Sequence, residues 1–310
     1  MKTKLTIILA FVANMMSAQM LIPCKERLDT LCQPKLTAVY LYTIHTSDDE
    51  GKPVTDSIRL ALQVGEDVWK TWAYERYENE KSHKDSIVVL PFLHNEAVMH
   101  ITTTTVGYPE GKTTSIETIA PNQYEVMEDI EKPVWKKVKG KESVCGYQCR
   151  KAIGEFRGKK WNVSYAADIP TVAGPWKLHG LSGLITYATD EKGIHTFQLI
   201  SVNEEAVPIT CSSGYPYWSF VGEKGKVEGK FITKVYSYVK VTREKCLEMK
   251  NELFGDSQYL TNTQFYNRGT NIEHYDPNLL VVSQPNRDYK FRGGLYIPDK
   301  GHKYQPLELK

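Results

Sequence analysis

The sequence predicts a mainly β protein built on one curved antiparallel sheet. An open half-barrel is one form that such a sheet can take. Three observations predict this fold class. Apolar residues recur at every second position in several stretches, as expected for half-buried strands. The 19 tyrosines and the many threonines suit a pleated surface. Short turn signals separate the stretches, which is typical of antiparallel sheets.

The alternation begins at Leu36–Ile44 and repeats at Ile58–Val64, immediately before Gly65. Residues 101–106 are β-branched at every position and predict a third strand. Further predicted strands cover residues 112–119, 134–138, 160–165, 184–188, 195–202 and 230–241. Turns rich in glycine and proline are predicted at residues 51–53, 108–111, 190–193 and 222–225.

Helical patterns are scarce, so one or two short helices are expected. The stronger candidate is Arg243–Phe254, with Thr242 as N-cap, Leu247 among the core-facing residues and Gly255 as a C-terminal stop. The weaker candidate covers residues 72–83. Residues 267–310 are polar and contain several prolines, which predicts an extended C-terminal tail packing on the domain.

The chain begins with a secretory pattern. Lys2 and Lys4 precede an apolar run that ends near Ser17 and Ala18, which predicts a signal peptide over residues 1–18. The predicted division is therefore a signal peptide at 1–18, a β-rich domain at 19–266 and the tail at 267–310. No later stretch approaches the roughly 20 apolar residues of a spanning helix, so no transmembrane span is expected.

The charge balance argues against a nucleic-acid partner. The formal charge is +2, from 39 basic and 37 acidic residues, and loss of the two lysines in residues 1–18 brings it to zero. Nucleic-acid binding needs a basic surplus or a strong basic stripe. The lysines between 132 and 141 surround Trp135, but acidic residues flank them. A solvated strand face is the better interpretation.

Six cysteines in an exported chain permit disulfides, and spacing alone leaves their pairing open. A local Cys24–Cys32 bridge would hold the short N-terminal segment. In a regular strand, Cys145 and Cys149 would lie on one face about 13 Å apart. A disulfide needs Cα atoms within about 7 Å, so these two are not expected to pair.

The standard signatures of catalysis are absent from the sequence. It lacks a phosphate-binding glycine loop, a His-Glu-x-x-His pair and a Gly-x-Ser-x-Gly elbow. Ser182 lies between glycines, but the spacing is one residue short of that elbow. We predict no catalytic residue, no metal site and no cofactor. Whether the protein is an enzyme stays open, and a non-enzymatic role is favoured.

An aromatic segment offers a candidate ligand platform. Flat rings provide contact area at small entropic cost and can stack on a sugar or an aliphatic ligand. The alternative, a core-facing loop that closes one end of the sheet, is favoured. The platform residues are Tyr215, Tyr217, Trp218 and Phe220.

An ordered set of residues between 146 and 185 closely resembles the signature of the GLPGLI family, exported proteins of Bacteroidota. Ser182 departs from it by replacing the proline of the family name, and Ser164-Tyr165 replaces a Trp-Tyr pair. The tail from Tyr304 to Lys310 also resembles the usual family ending. The matching residues are Gly146, Tyr147, Cys149, Ala152, Gly174, Pro175, Gly180, Leu181, Gly183, Leu184 and Ile185.

The resemblance implies a β-rich fold and export to the periplasm or cell surface of a Gram-negative bacterium, and it supplies no reaction. The signature itself reads as structural. Its glycines permit positive φ or close backbone approach, and its leucines and isoleucine anchor Gly174–Ile185 in the core. We therefore expect a non-enzymatic envelope protein that binds a small apolar or glycan ligand, or an envelope protein. The alternatives are a hydrolase of envelope or dietary polymers and a structural subunit of a surface assembly.

Overall fold

The computed structural model describes most of the β-rich domain and short parts of the tail. The described segments contain twenty strands and two helices. They are residues 20–23, 28–47, 51–82, 86–89, 102–119, 122–203, 207–222, 229–255, 289–292, 295–298 and 305–309.

The predicted fold class is confirmed: strands dominate, and both helices are short. The first half of the domain holds β1 (Met20–Pro23), β2 (Leu28–Cys32), β3 (Leu36–Ser47), β4 (Pro53–Val64), β5 (Trp69–Ala73), α1 (Tyr74–Ser82), β6 (Ser86–Val89), β7 (Thr103–Val106), β8 (Lys112–Ile119) and β9 (Asn122–Asp129).

The remaining elements follow the same alternation of strands and short turns. They are β10 (Val134–Val144), β11 (Tyr147–Phe156), β12 (Lys159–Ala166), β13 (Leu184–Asp190), β14 (His195–Asn203), β15 (Ile209–Ser212), β16 (Gly214–Gly222), β17 (Gly229–Ser237), β18 (Val239–Val241), α2 (Arg243–Gly255), β19 (Tyr289–Arg292) and β20 (Leu295–Pro298).

Twelve strands form one large open sheet in the order β10-β11-β12-β13-β14-β3-β4-β5-β7-β8-β9-β18. Neighbours run antiparallel except β18, which pairs with β9 in parallel. β9 lies next to one edge of the sheet, yet it continues through residues 130–133 into β10, the opposite edge. Such a short connection requires the two edges to approach each other, so the sheet curves strongly without closing.

The main core lies on the inner face of this curve. Large buried side chains from β3, β4, β12 and β14 meet there, among them Tyr40, Tyr42, Leu60, Trp161 and Phe197. A smaller cluster of Ala61, Trp72 and Tyr77 lies where α1 packs on β4 and β5.

Both helices form close to their predicted positions. α2 has the expected N-cap, since the Lys245 N–H donates to Thr242 Oγ1 over 3.2 Å. Cys246 and Met249 are its buried apolar residues, and Leu247 is half-buried. α1 begins two residues later than predicted because Trp72 and Ala73 still pair with β4 as part of β5.

Several predictions fall on residues outside the described set, among them the signal peptide and Cys24. The tail is described at the β19–β20 pair and at residues 305–309, where Leu307 is buried in the main core. None of the helices in the described part of the chain is both long enough and apolar enough to span a membrane.

Candidate functional site

The first half of the signature forms a hairpin rather than one continuous strand. Cys145 and Gly146 have φ values of 51° and 83° and make the two-residue turn between β10 and β11. The regular-strand geometry considered for Cys145 and Cys149 is therefore wrong, and the two cysteines form no disulfide with each other. Cys149 is buried with its Sγ 3.1 Å from Thr186 Oγ1, and Ala152 is buried beside it in the core.

The five described cysteines form no disulfide with one another. The Cys145 thiol donates to the Ile200 carbonyl over 2.8 Å. Cys24 lies outside the described residues, so the Cys24–Cys32 bridge stays a prediction.

The second half of the signature crosses the inner face of the sheet. Every residue from Ala173 to His179 is buried. The Trp176 ring lies 5.8 Å from Phe156 and 6.1 Å from Trp161, and the backbone N–H of Trp176 donates to Thr71 Oγ1 over 3.1 Å. The loop therefore joins β5 to β11 and β12, which lie on different halves of the curved sheet, and it fills the space that a ligand would need on the inner face.

Close packing explains two signature glycines. Gly183 has a φ of +147°, and a Cβ there would lie 2.3 Å from the Ala166 carbonyl oxygen. A Cβ on Gly174 would lie 2.5 Å from the Leu178 carbonyl oxygen. Side chains at these positions would collide with backbone, so the loop path requires glycine.

Trp176 adopts a positive φ of 56° inside the loop, a conformation that costs free energy for a residue other than glycine. Pro175 precedes it, and the Leu178 N–H donates to the Pro175 carbonyl over 3.1 Å, which closes a β-turn. This turn aims the indole into the core and places the next side chain, Lys177, among acidic residues.

Lys177 is a buried member of a group of charged residues that we call the charge cluster. Its Nζ lies 2.8 Å from Glu128 Oε1 and 3.1 Å from Glu308 Oε1. Arg157 lies 2.8 Å from the other Glu128 oxygen, and Lys250 pairs with Glu117 at the far end. The cluster consists of Arg157, Lys177, Arg243, Lys250, Glu117, Glu128, Glu131 and Glu308.

The cluster balances four cations against four carboxylates. Burial alone would lower the pKa of Lys177, but the Glu308 and Glu128 carboxylates outweigh it and raise the pKa. Burial first, and the Glu117 carboxylate second, raise the pKa of the Cys246 thiol to about 12.

The cavity beside the charge cluster measures about 20 Å³. This volume holds a single water molecule and is too small for a ligand.

Residues 305–309, which we call the C-terminal strap, complete the cluster. Leu307 is buried in the main core, Glu308 pairs with Lys177, and the Leu309 N–H donates to the Arg157 carbonyl over 2.9 Å. The strap therefore holds the end of the chain against the turn between β11 and β12.

A cleft of about 390 Å³ opens beside the strap, and its volume suits a small ligand. Four segments form its walls: the β9–β10 connection, the β11–β12 turn, the β13–β14 turn and the strap. Its charged lining residues are Arg157, Lys159, Lys160, Lys192, Glu131, Glu155, Asp190 and Glu191.

Lys159, Asp190 and His195 form the polar base of this region. Lys159 Nζ lies 3.3 Å from Asp190 Oδ2, while Asp190 Oδ1 accepts a hydrogen bond from the backbone N–H of His195 over 3.0 Å. Burial lowers the pKa of Lys159 despite the nearby carboxylate. Burial, with Lys159 as the next cause, also lowers the pKa of His195 to about 3, so this imidazole is neutral at physiological pH.

The predicted aromatic platform lies on a separate pair of strands. Tyr215, Tyr217, Trp218 and Phe220 lie on β16, which pairs with β17 in a two-stranded ribbon, so the segment is a strand rather than a loop. Their side chains lie outside the described set, and their role stays a prediction. Ser182 is exposed within Gly174–Ile185, the segment that we call the signature loop.

Sequence reasoning missed both the charge cluster and the cleft. The nearest sequence signal was Arg157-Gly158, whose φ values of 53° and 79° make the tight β11–β12 turn.

Among the described residues, no group of three or more His, Cys, Asp or Glu side chains could hold a metal ion.

No family model and no curated protein matches the sequence. Among solved structures, the chain is similar to "Structure of PNGF-II in C2 space group", with a TM-score of 0.39 and 14% identity over 69% of this chain and 32% of that one. The P21 form of PNGF-II gives a TM-score of 0.39 and 13% identity, over 68% and 33%. The chain spans about a third of the length of PNGF-II.

Proposed function

We propose that this chain is an exported, non-enzymatic envelope protein of the GLPGLI type that binds an uncharged, hydroxyl-rich ligand such as a short glycan in the cleft. One observation carries the proposal: four cationic side chains and four carboxylates line the cleft. Such a lining has no net charge to attract an ion, but it is rich in hydrogen-bond donors and acceptors. Sugar hydroxyls both donate and accept, so they match both kinds of group.

The packing of the inner face favours a glycan over an apolar ligand. An apolar ligand needs a hollow lined by apolar side chains. The signature loop and Leu307 fill the inner face of the sheet. The cleft lies outside that core and combines its charged groups with a few apolar residues, including Ile194 and Pro306.

The ion pairs in the lining favour binding over hydrolysis. Glycoside hydrolysis uses two carboxyl groups, one of which gives up its proton to the leaving group. Asp190 pairs with Lys159, Glu191 with Lys160 and Glu131 with Arg157. Each of these carboxylates faces a cation, an arrangement that suits a hydrogen-bond acceptor better than a general acid.

The cleft can be tested by filling it. Glu155 lines the cleft, and Glu155→Trp would occupy part of its volume. We expect the parent to bind one or more of cellobiose, maltose and chitobiose in calorimetric titrations, and Glu155→Trp to weaken that binding at least about tenfold. The matched control is Glu110→Trp, an exposed position in the turn before β8, which should bind as the parent does.

Two results would contradict the proposal. One is a parent protein that binds none of the three disaccharides, and the other is a Glu155→Trp variant that binds as tightly as Glu110→Trp. Export is tested separately by sequencing the N-terminus of the mature protein, where a retained Met1 would reject it.

A further inference from the structure

A line of uncharged polar side chains crosses the outer face of the large sheet. One residue from each of five adjacent strands lies at the same register, and each pairs directly with the next. We call this line the polar row. Its members are Asn162 on β12, Thr189 on β13, Thr196 on β14, Thr43 on β3 and Ser57 on β4.

Alternation along each strand places the row on the outer face. Its immediate sequence neighbours Trp161, Ala188, His195, Ile44 and Ile58 are all buried in the inner core. Successive side chains of a strand point to opposite faces, so the row points away from that core. Asn162 is exposed, and the other four members are half-buried by their neighbours.

Hydrogen bonds along the row hold its hydroxyl groups in place. Thr196 Oγ1 lies 3.2 Å from Thr189 Oγ1, and Thr43 Oγ1 lies 3.0 Å from Ser57 Oγ. Threonine is also stiff at χ1, which restricts where its hydroxyl can lie. Thr189 Oγ1 also donates to the Asp190 carbonyl over 3.4 Å. A hydroxyl group has one donor and two acceptor positions, so the Thr189 hydroxyl keeps one acceptor position and the Thr196 hydroxyl keeps two for a ligand.

A second line of paired residues lies next to the polar row on the same strands, and it adds flat and apolar surface to the outer face. Tyr187, Gln198, Leu41 and Arg59 pair in that order across β13, β14, β3 and β4. Tyr187 and Leu41 are half-buried, while Arg59 is exposed and lies 4.6 Å above the Tyr74 ring of α1. A hydroxyl line beside an aromatic and aliphatic line is complementary to a sugar chain, which presents hydroxyl edges and C–H faces.

We propose that the polar row is a platform for an extended, uncharged polysaccharide that lies across the strands. Strands are spaced by about 4.8 Å, so five of them offer a surface about 19 Å long with one hydrogen-bonding side chain per strand. The strand spacing is close to the length of one sugar unit in an extended chain. The row carries no formal charge although 25% of the residues in the chain are charged, which favours a neutral polymer over an anionic one.

The platform extends the proposed function, because it begins beside the cleft. Asn162 is two residues along β12 from Lys160, and Thr189 is two residues before Glu191; Lys160 and Glu191 both line the cleft. A short glycan would occupy the cleft alone, whereas a polymer would also lie on the row. Disaccharide binding and polymer binding therefore test the two sites separately.

The experiment removes hydroxyl groups without changing side-chain shape. Affinity electrophoresis would compare the parent with Thr189→Val/Thr196→Val and with the matched control Thr103→Val/Thr118→Val, whose positions lie on β7 and β8. The probes are hydroxyethyl cellulose, amylose and galactomannan as neutral polymers, and carboxymethyl cellulose as an anionic one. We expect a neutral polymer to retard the parent and the control, and the row variant to bind at least about tenfold more weakly with unchanged disaccharide affinity.

Each alternative outcome has a defined meaning. The platform is wrong if none of the three neutral polymers retards the parent, if the row variant binds them as the control does, or if carboxymethyl cellulose binds more tightly than hydroxyethyl cellulose. A parent that binds a neutral polymer through the row but binds no disaccharide would support the platform and reject the cleft. Circular dichroism and thermal melting would confirm that both double variants are folded.

Discussion

Lys177 and Glu308 are 131 residues apart in the sequence, yet Lys177 Nζ lies 3.1 Å from Glu308 Oε1 in the interior. The Lys177 side chain is 3% exposed and that of Glu308 is 11% exposed. The pair joins the signature loop to the C-terminal strap, the two segments that close the inner face.

Glu308→Gln should lower the free energy of unfolding by about 2 kcal/mol, because it leaves Lys177 and Arg157 buried with less compensating charge. Glu128 remains beside both cations, which keeps the loss below that of a fully broken pair. Urea denaturation of the parent and the variant measures the difference.

The matched control is Glu191→Gln. Glu191 pairs with Lys160 at 3.8 Å, and the two side chains are 64% and 61% exposed. Exposed pairs contribute little, so this change should alter stability by less than about 0.5 kcal/mol. Equal effects of the two substitutions would mean that the charge cluster does not hold the strap.

The lowered pKa of His195 predicts that the stability of the folded protein decreases in acid. Its pKa in the folded protein is about 3, below its ordinary value of 6.5. Between these pH values the unfolded chain binds a proton that the folded chain does not. This contribution to stability is therefore present above about pH 6.5 and is lost as the pH falls toward 3, by about 1.4 kcal/mol per pH unit.

His195→Gln should remove that slope, since glutamine does not titrate. Urea midpoints at about pH 7 and pH 4.5 should fall further for the parent than for the variant, by the equivalent of about 2–3 kcal/mol. His179, whose pKa is also lowered by burial, is present in both proteins and cancels in the comparison. Parallel pH profiles would show that His195 is protonated in the folded protein.

The difference in exposure between the cysteines predicts the order in which their thiols are alkylated. Cys145 is exposed at the tip of the β10–β11 hairpin, whereas Cys149 and Cys246 are buried and burial raises the pKa of both thiols. Iodoacetamide should therefore modify Cys145 in the native protein, and Cys149 and Cys246 after denaturation. Mass spectrometry of peptides identifies the modified sites, and rapid native labelling of Cys149 would contradict the hairpin geometry.

A period of two reports directly which side chains face a core, so the sequence predicted many strands of the sheet, although β5, β9 and β11 were not among them. Leu36–Ile44 and Ile58–Val64 became β3 and β4, and Thr242 marked the start of α2 correctly. The same pattern could not show the Cys145–Gly146 turn, since a positive φ at cysteine has no strong sequence signal.

The candidate site was beyond sequence reasoning because it depends on contacts between distant segments. Glu128 and Lys177 are 49 residues apart, and no local spacing indicates that they meet. Likewise, Arg157, Asp190 and Pro306 lie on three segments that are distant in the sequence and form one cleft after the sheet curves. The polar row could not be predicted for the same reason. Its five members come from five strands, and only the pairing register of those strands aligns them.

Gly183 provides the sharpest test of the signature loop when it is compared with Gly193. Both glycines have positive φ, of +147° and +68°. A Cβ on Gly183 would lie 2.3 Å from the Ala166 carbonyl oxygen, whereas a Cβ on Gly193 would meet nothing within 4 Å. Gly193→Ala should therefore cost only the strain of a positive φ, about 1 kcal/mol. Gly183→Ala must also displace backbone.

We expect Gly183→Ala to lose clearly more stability than Gly193→Ala, and Gly183→Val more again, since a β-branched side chain fits this backbone conformation worst. Ser182→Pro, which restores the residue of the family name at an exposed position, should be neutral or mildly stabilising if φ lies near −65°. Thermal melts of the four variants decide between a structural loop and a recognition loop. If Gly183→Val melts with the parent, the backbone around Ala166 yields easily, and Gly174–Ile185 does not determine the shape of the sheet.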